Sequence, residues 1–369
     1  MINFKLAELR KKNNLTQQEL GDILNVSYQT ISKWENSIVF PDITMLPQIS
    51  SYFGVSVDAL LGLVPLEEGY RPSNTGTADY WESRLEYLKH TRKTMWNEDY
   101  IRFLIRDVWN IDRPISVLDC GCGFGSMGLL IMPLLPPGSK YTGIDFSNTM
   151  ISAAKDMFAH SGIDATFILS DIMAYDTSTK YDMVISQAVL RHVDNGETVL
   201  RRMAGFLKAG GLLVSMECNR EFEADGLYVQ GMDYFKLCQH DGLKKMWKME
   251  FEKQNRDYSI AMKIPHYMKL AGLKNISCRM NDRVTFLDPE QEKYQEQLEC
   301  FINSAHWNEE KTDQELEENI SYFMNHGMSR KEAEDYCRQQ NGIVKYLKKN
   351  KGEVALTKVG GVMISYGWK

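Results

Sequence analysis

The sequence predicts an α/β protein in which a small all-helical domain precedes a sheet flanked by helices. Between residues 115 and 217, short apolar or β-branched runs alternate with helix-like stretches, which indicates parallel strands joined by helices. Residues 1–62 contain closely spaced helical patterns only. Residues 63–79 lack a helical pattern and are rich in proline, glycine and small polar residues, as linkers are. We therefore expect domains at 1–62 and 80–369.

The period of the apolar residues predicts the individual elements. Helix-like stretches at 126–135, 148–160 and 194–208 separate the apolar runs. A charged helical block at 290–350, with helix-start signals at 288, 312 and 329, is expected to be an insertion that covers part of the sheet. The strands are predicted at 115–119, 140–145, 164–169, 181–187, 211–217, 274–280, 284–287 and 361–368.

The composition is that of a globular protein. Hydrophobic residues make up 43% of the 369 residues and charged residues 25%, enough for a sizeable core. The net charge of −6 argues against polyanion binding by the whole chain, so any affinity for nucleic acid would be local. The seven cysteines, and the lack of a secretory or membrane-spanning apolar run, lead us to expect a cytoplasmic protein with reduced thiols and no membrane association.

Residues 16–34 have the pattern of two short helices joined by a tight turn. Thr16 and Glu19 have the spacing of a capping box that opens the first helix, and Ser27 is placed to cap the second. This arrangement lets the second helix enter the major groove of DNA. The candidates for contacts with base edges are Tyr28, Gln29, Thr30 and Lys33, and those for contacts with phosphates are Gln17 and Lys33.

The run LTQQELGDILNVSYQTISKWENSIVFPD resembles the Cro/lambda-repressor (XRE) family of helix-turn-helix domains. The resemblance implies binding of double-stranded DNA. Residues 1–62 hold five basic and six acidic side chains, a net charge of −1, so a single copy attracts phosphates weakly. Two alternatives therefore stay open: DNA binding, for which a homodimer is one form, or a helix-turn-helix fold used for dimerisation or protein contact.

A strand that runs into three glycines is the most informative feature of the α/β domain. The segment VLDCGCGFG ends a strand at Asp119 and places glycines at 121, 123 and 125 before a helix. Glycine permits positive φ angles and a close approach of the backbone to a ligand. Asp145 closes the next strand, where a carboxylate can accept both hydroxyls of a ribose. Asp171 follows the third strand and suits an adenine amino group.

These residues are compatible with two ligands, a dinucleotide or S-adenosylmethionine. Residues 123–128 satisfy the pattern G-x-G-x-x-G of dinucleotide sites, a weak signal when it stands alone. The glycine spacing and the acid before the glycines favour S-adenosylmethionine, because Asp119 can orient the loop or face the methionine end of that cofactor.

The α/β domain carries five motifs in order: VLDCGCGFG, YTGIDFS, FILSDI, YDMVISQAVLRHV and LKAGGLLVSME. They resemble the class I S-adenosylmethionine-dependent methyltransferase family over residues 80–287 and 355–369. The resemblance implies a seven-stranded, mostly parallel, doubly wound sheet whose last strand, 362–367, is antiparallel. It also implies S-adenosylmethionine as cofactor, with Asp119, Gly121 and Gly123 at the methionine part, Asp145 at the ribose, Phe146, Asp171 and Ile172 at the adenine, and Gln187 beside the sulfonium.

Methyl transfer from a sulfonium is an in-line displacement that needs alignment and sometimes a base. The candidates for a base, at the ends of the fourth and fifth strands, are His192 and Glu217. Each has a structural alternative: His192 can cap a helix or bond the backbone, and Glu217 can be a strand-end carboxylate satisfied by hydrogen bonds. Walls of an acceptor pocket, or ordinary core, are expected from the stretch 228–249 and from a lid helix that carries Tyr80, Trp81 and Arg84.

Two further activities are excluded by the sequence. Residues 186–190 lack the Pro-Pro-aromatic loop with which DNA amino-methylases hold a flipped base, and no cysteine follows a proline as cytosine C5 chemistry requires. Cys120 and Cys122 have no second pair at zinc spacing, so no metal is expected.

The leading hypothesis is a methyltransferase that acts on an oxygen or nitrogen atom of a small-molecule acceptor and is tethered to a DNA-binding module. One alternative is a transcriptional regulator whose methyltransferase-like domain senses the cofactor or a related metabolite. A protein or RNA methylase is a third possibility, although no basic stripe supports RNA.

Overall fold

A computed structural model describes residues 4–63, 66, 77–93, 95–238, 240–350 and 352–369, so most of the predicted linker at 63–79 lies outside the described residues. The helices in chain order are α1 (Leu6–Lys12), α2 (Gln17–Leu24), α3 (Tyr28–Glu35), α4 (Met45–Phe53), α5 (Val57–Leu60), α6 (Ala78–Glu82), α7 (Leu85–Lys93), α8 (Glu98–Phe103), α9 (Ser126–Ile131), α10 (Asn148–Phe158), α11 (Gly196–Gly205), α12 (Arg220–Asp225), α13 (Tyr234–Leu237), α14 (Asp241–Gln254), α15 (Ile260–Leu270), α16 (Tyr294–Ala305), α17 (Asp313–Asn325) and α18 (Arg330–Lys349).

The strands belong to two sheets. They are β1 (Ser116–Cys120), β2 (Lys140–Asp145), β3 (Ala165–Leu169), β4 (Tyr181–Gln187), β5 (Leu207–Cys218), β6 (Leu227–Val229), β7 (Lys274–Met280), β8 (Val284–Leu287), β9 (Leu356–Val359) and β10 (Val362–Trp368). The large sheet has the order β3-β2-β1-β4-β5-β10-β7, and β10 runs antiparallel to both of its neighbours. The predicted seven-stranded, mostly parallel sheet is therefore confirmed.

The large sheet is covered on both faces. Val117 and Leu118, neighbours on β1, point to opposite faces as strand residues do. Val117 belongs to a core cluster with residues of α8, α9 and α10, and Leu118 belongs to a second cluster with residues of α11 and α15. Two such layers of helices are what the doubly wound prediction requires.

The small sheet was not predicted. It has the order β6-β9-β8, all antiparallel, and closes over a separate cluster that includes Leu287, Tyr294, Leu298 and Leu356. Of its strands, the sequence predicted 284–287 alone. The start signal at Asp288 was also misplaced: its carboxylate accepts from the Glu290 amide at 2.9 Å in a turn, and α16 begins only at Tyr294.

The chain divides into two compact units: Met1–Pro72 with Gln239–Lys253 and Glu309–Lys349, and Ser73–Cys238 with Gln254–Asn308 and Asn350–Lys369. The first unit contains the predicted helix-turn-helix. There Thr16 and Glu19 form the predicted capping box, and the Ser27 side chain accepts from the Thr30 amide. The turn residue Asn25 takes a left-handed conformation at φ 55°. Buried residues of this core include Leu20, Ile31, Trp34 and Ile49.

Most of the helical block at 290–350 does not pack where the sequence predicted. We expected it to cover the sheet, but residues 309–349 belong to the first unit, with the N-terminal helices. Arg330 gives a physical reason: its side chain is 12% exposed, its guanidinium lies 4.3 Å from the Tyr52 ring and it also donates to the Tyr52 carbonyl. Its backbone amide donates to Asn13 at 2.9 Å. These contacts join distant stretches of the sequence, so the pattern within 290–350 did not disclose them.

In the described residues, no helix combines the length and the apolar character that a membrane crossing requires. All seven cysteines are free thiols.

Replacing Arg330 by methionine is expected to destabilise the first unit. Arg330 also pairs with Glu317 and Glu334 at 2.9 and 2.8 Å, and its loss leaves these acceptors without their donor. We expect a loss of about 2 kcal/mol in the free energy of unfolding, measured with urea. The control is R338M, because Arg338 pairs with the same Glu334 but is 71% exposed, and should cost at most about 0.5 kcal/mol. Equal losses in the two variants would contradict this account.

Candidate active site

One of the three glycines in the loop after β1 borders open space. Gly121, Gly123 and Gly125 all have positive φ, at 73°, 53° and 80°. A Cβ added at Gly121 would lie 2.6 Å from Val189, and one added at Gly125 would lie 2.7 Å from Phe158. A Cβ added at Gly123 would meet no described atom within 4 Å. Gly123 therefore borders open space, whereas the other two glycines permit close packing.

That open space is a cavity of about 440 Å³ in the second unit, at the carboxyl ends of the parallel strands. Its size falls within the range of small-molecule sites, roughly 300–1,000 Å³. All eight residues that the methyltransferase resemblance assigned to the cofactor line it: Asp119, Gly121, Gly123, Asp145, Phe146, Asp171, Ile172 and Gln187.

Asp145 connects the loop to the neighbouring strand. Its carboxylate accepts from the Gly123 amide and from the Ser147 amide, both at 2.9 Å. Burial raises the pKa of Asp145, and the amide hydrogen bonds oppose that rise. Asp171 accepts from the Met173 and Ala174 amides through its Oδ1 atom alone. Phe146 is 40% exposed and lines the cavity.

Asp119 is a buried carboxyl group on the cavity wall. Tyr141 donates to it at 2.6 Å. Burial raises the pKa of Asp119 to about 7, against the lowering effect of the tyrosine hydrogen bond and with a smaller upward effect of the Asp145 charge. Because this pKa lies near neutral pH, a cation bound in the cavity would favour the ionised form of the Asp119 carboxyl group.

His192 lines the cavity, but its ring has little capacity as a base. Its Nε2 atom lies 3.2 Å from the guanidinium of Arg191, which can only donate, so Nε2 is the acceptor and the proton sits on Nδ1. Burial and the charge of Arg191 hold the pKa of His192 well below its usual value. The ring also packs edge-on against Trp81 at 4.7 Å.

Glu217 lies outside the cavity lining, which favours its structural alternative over a role as a base. Its Oε1 atom accepts from the Val189 and Leu190 amides at 2.8 and 2.7 Å. The residue is buried, and burial raises its pKa. Glu217 therefore matches the alternative of a satisfied strand-end carboxylate that fixes the loop after β4.

Only one of the three predicted lid residues lines the cavity. Trp81 lines it, whereas Tyr80 and Arg84 do not; the Arg84 guanidinium lies 4.5 Å from the Tyr80 ring. The stretch 228–249 is absent from the lining, and its buried Leu243 and Met246 lie in α14, within the first unit. That stretch fits the alternative of ordinary core.

Sequence reasoning missed Leu88 and Arg92, which line the cavity from α7. Arg92 donates to the Met95 sulfur at 3.8 Å, and Gln187 contacts the same sulfur at 3.0 Å. The four-residue spacing of Leu88 and Arg92 places them on one helix face, but nothing in the sequence says that this face meets the strand ends.

On the helix-turn-helix surface, three of the five predicted DNA-contacting residues are exposed, and the other two are engaged in side-chain hydrogen bonds. Tyr28, Gln29 and Lys33 are exposed on α3, and Thr30 is half-buried and bonded to Ser27 at 2.9 Å. Gln17 donates to Glu35 at 2.8 Å, so a phosphate contact would have to replace that bond. Among the described residues, no group of three histidine, cysteine or acidic side chains could hold a metal ion.

Two family models match the chain. One described as "Methyltransferase domain" matches residues 111–320, more than half of the chain, and one described as "Helix-turn-helix" matches residues 6–60. The chain therefore belongs to the methyltransferase domain family and carries an N-terminal helix-turn-helix domain. This family uses S-adenosylmethionine, and the residues of the cavity suit that cofactor in charge and in space.

The relatives that match this chain include named methyltransferases. The ubiquinone biosynthesis O-methyltransferase of Brucella anthropi is 31% identical over 156 residues, which cover 41% of this chain and 58% of that protein. The protein of the same name from Bradyrhizobium diazoefficiens is 32% identical over 120 residues, covering 32% and 46%. The Haemonchus contortus phosphoethanolamine N-methyltransferase 2 structure with S-adenosyl-L-methionine is 14% identical at a TM-score of 0.40, covering 73% and 52%. The chain thus spans about half the length of the curated relatives that it matches.

Replacing Gly123 by alanine is expected to block the cofactor while leaving the fold intact. The added methyl group enters the cavity rather than the protein core. We expect at least a tenfold loss of affinity for S-adenosylhomocysteine by calorimetry. The control is G162A, because Gly162 has a similar φ of 72°, borders open space and lies outside the cavity lining. Each variant should lose about 1 kcal/mol of stability from the left-handed conformation. Equal affinities in both variants would contradict the placement of the cofactor beside Gly123.

Affinity for S-adenosylmethionine is expected to rise between pH 6 and pH 8. Asp119 has a pKa of about 7 without ligand, so it is mostly neutral at pH 6 and ionised at pH 8. A cationic ligand favours the ionised form, and binding should release a proton below the pKa. The rise should reach about tenfold and then level off. D119N should abolish it, and a rise that persists in this variant would show that another group is responsible.

Proposed function

We propose that this protein transfers a methyl group from S-adenosylmethionine to an oxygen or nitrogen atom of a small-molecule acceptor. The observation that carries the proposal is the convergence of all eight cofactor positions of the family on one cavity. These residues come from four separate motifs between 119 and 187 and meet only in the folded chain. A dinucleotide is the weaker alternative, because the acid before the glycines, Asp119, also faces this cavity.

The cofactor, when bound, supplies a methyl group on a sulfonium. Asp145 is proposed to hold the ribose hydroxyls while its carboxylate keeps the Gly123 amide in place. Phe146 would pack on the adenine ring, and the Asp171 carboxylate would accept from the adenine amino group. Asp119 faces the positively charged methionine end. The chain's contribution is alignment and charge, which is what an in-line displacement needs.

A protein base is not part of the proposal. The acceptor nitrogen of His192 is occupied by Arg191, and Glu217 lies behind the loop after β4. We therefore infer an acceptor atom that carries a free lone pair near neutral pH, such as an amine of low basicity or an ionised oxygen. At saturating S-adenosylmethionine, the pH dependence of turnover would then follow the pKa of the acceptor.

The helix-turn-helix is proposed to tether the enzyme to double-stranded DNA in the cytoplasm. Tyr28, Gln29 and Lys33 are exposed where α3 would meet base edges. The net charge of −1 over residues 1–62 suggests that two copies, acting as a homodimer, are needed for useful affinity. The methyltransferase activity does not depend on this part of the proposal.

Turnover tests the proposed function directly. The full chain is incubated with S-adenosylmethionine and fractions of a small-molecule extract, and S-adenosylhomocysteine is measured by mass spectrometry. We expect formation that depends on a fraction, and a roughly 10- to 100-fold loss in D145N because a hydrogen bond to a charged group disappears. The control is D164N, whose carboxylate is 68% exposed and pairs only loosely with Lys140 at 3.7 Å.

Absence of turnover with every fraction would contradict the enzymatic proposal. If S-adenosylmethionine then altered the retention of the full chain on genomic DNA fragments, the result would instead support the regulator that senses the cofactor.

A further inference from the structure

Arg92 is a cavity residue that forms no ion pair with the carboxylates of the described residues. It lines the cavity, and the one hydrogen bond that its guanidinium makes to a described residue is with the Met95 sulfur, a weak acceptor. Burial lowers the pKa of Arg92, and the nearby charge of Arg191 lowers it further. A guanidinium nevertheless stays charged at any physiological pH.

Arg191 adds a second charge behind the cavity wall. It is 9% exposed, it donates to the His192 ring at 3.2 Å, and its Nε atom has no partner among the described residues. Its guanidinium also lies 5.6 Å from the Tyr258 ring. His192 remains neutral between this cation and the cavity, so it does not screen the charge with one of its own.

Negative charge near these two cations is limited. Glu217 acts on both of them electrostatically, but its Oε1 atom accepts from two backbone amides. Glu223, the other acid that acts on Arg191, already pairs with Arg220. The two guanidinium groups thus share the charge of Glu217, and burial makes a second, unbalanced positive charge unfavourable unless an anion binds.

We propose that Arg92, in the field of Arg191, binds a carboxylate or phosphate group of the methyl acceptor. The planar fork of arginine matches both groups with two parallel hydrogen bonds. Trp81, Leu88 and Val193 line the same cavity and suit an aromatic or apolar body. The acceptor class is therefore a small aromatic or apolar acid, an assignment that rests on the proposed methyl transfer.

The carboxylate of the cofactor's methionine has the same chemistry, so the experiment must separate the two sources. The acceptor is favoured because Arg92 shares the Met95 sulfur with Gln187, the residue proposed to lie beside the sulfonium that the acceptor must approach. An arginine that serves the acceptor leaves the affinity for the cofactor unchanged when it is removed.

Calorimetry on the full chain saturated with S-adenosylhomocysteine provides the test. The probes are benzoate and phenyl phosphate, each compared with its uncharged counterpart, benzamide or phenol. We expect at least one acid to bind tenfold more tightly than its counterpart, a comparison that needs no variant. R92M should reduce this preference below twofold and keep the affinity for S-adenosylhomocysteine within twofold, and R92K should restore part of the preference.

The matched control is R102M, because Arg102 is 56% exposed on α8 and pairs with Glu98 at the surface. It should keep the full preference for the acid. Equal binding of acid and uncharged counterpart by the wild type, or no binding of either acid, overturns the proposal. A tenfold loss of S-adenosylhomocysteine affinity in R92M with the acid preference intact also overturns it, and assigns Arg92 to the cofactor. If the wild type does not bind S-adenosylhomocysteine, the proposed function fails instead, and the acids are then compared on the free protein.

Discussion

A hydrogen bond from the Gly123 amide to the Asp145 carboxylate, 2.9 Å long, joins the ends of two neighbouring strands. The Gly121 and Cys122 amides both donate to the Ile144 carbonyl, so the whole loop is fastened to β2. These bonds require positive φ at the glycines, and they leave a space above the strand ends that no side chain of the loop fills. The cavity, and with it every role proposed for its residues, depends on this attachment.

The large sheet was predictable because its strands are apolar runs long enough to show a period. The predicted bounds of 140–145 and 181–187 match β2 and β4, and the antiparallel β10 agrees with the family resemblance. The small sheet escaped prediction because β6 has only three residues, too few for any periodicity. The packing of α17 and α18 in the first unit depends on contacts such as Arg330 with Tyr52, which join residues 278 positions apart.

The convergence of the glycines and the strand-end acids on one cavity was also predictable, because their spacing places them at the ends of neighbouring strands. The acceptor side of the site was not. Whether His192 is a base depends on which ring nitrogen Arg191 occupies, and whether Glu217 reaches the cavity depends on where the loop after β4 folds back. No sequence motif marked Arg92, because its proposed role depends on the placement of α7 at the cavity. The specificity that we propose therefore depends on contacts that only the folded chain brings together.

The central claim is that the glycine loop and Asp145 form a site for S-adenosylmethionine rather than for a dinucleotide. Native mass spectrometry of the full chain, mixed with equal concentrations of S-adenosylhomocysteine and NADH, tests it most directly. The account predicts one S-adenosylhomocysteine per chain and no NADH. A complex with NADH, or no complex with either ligand, would contradict it.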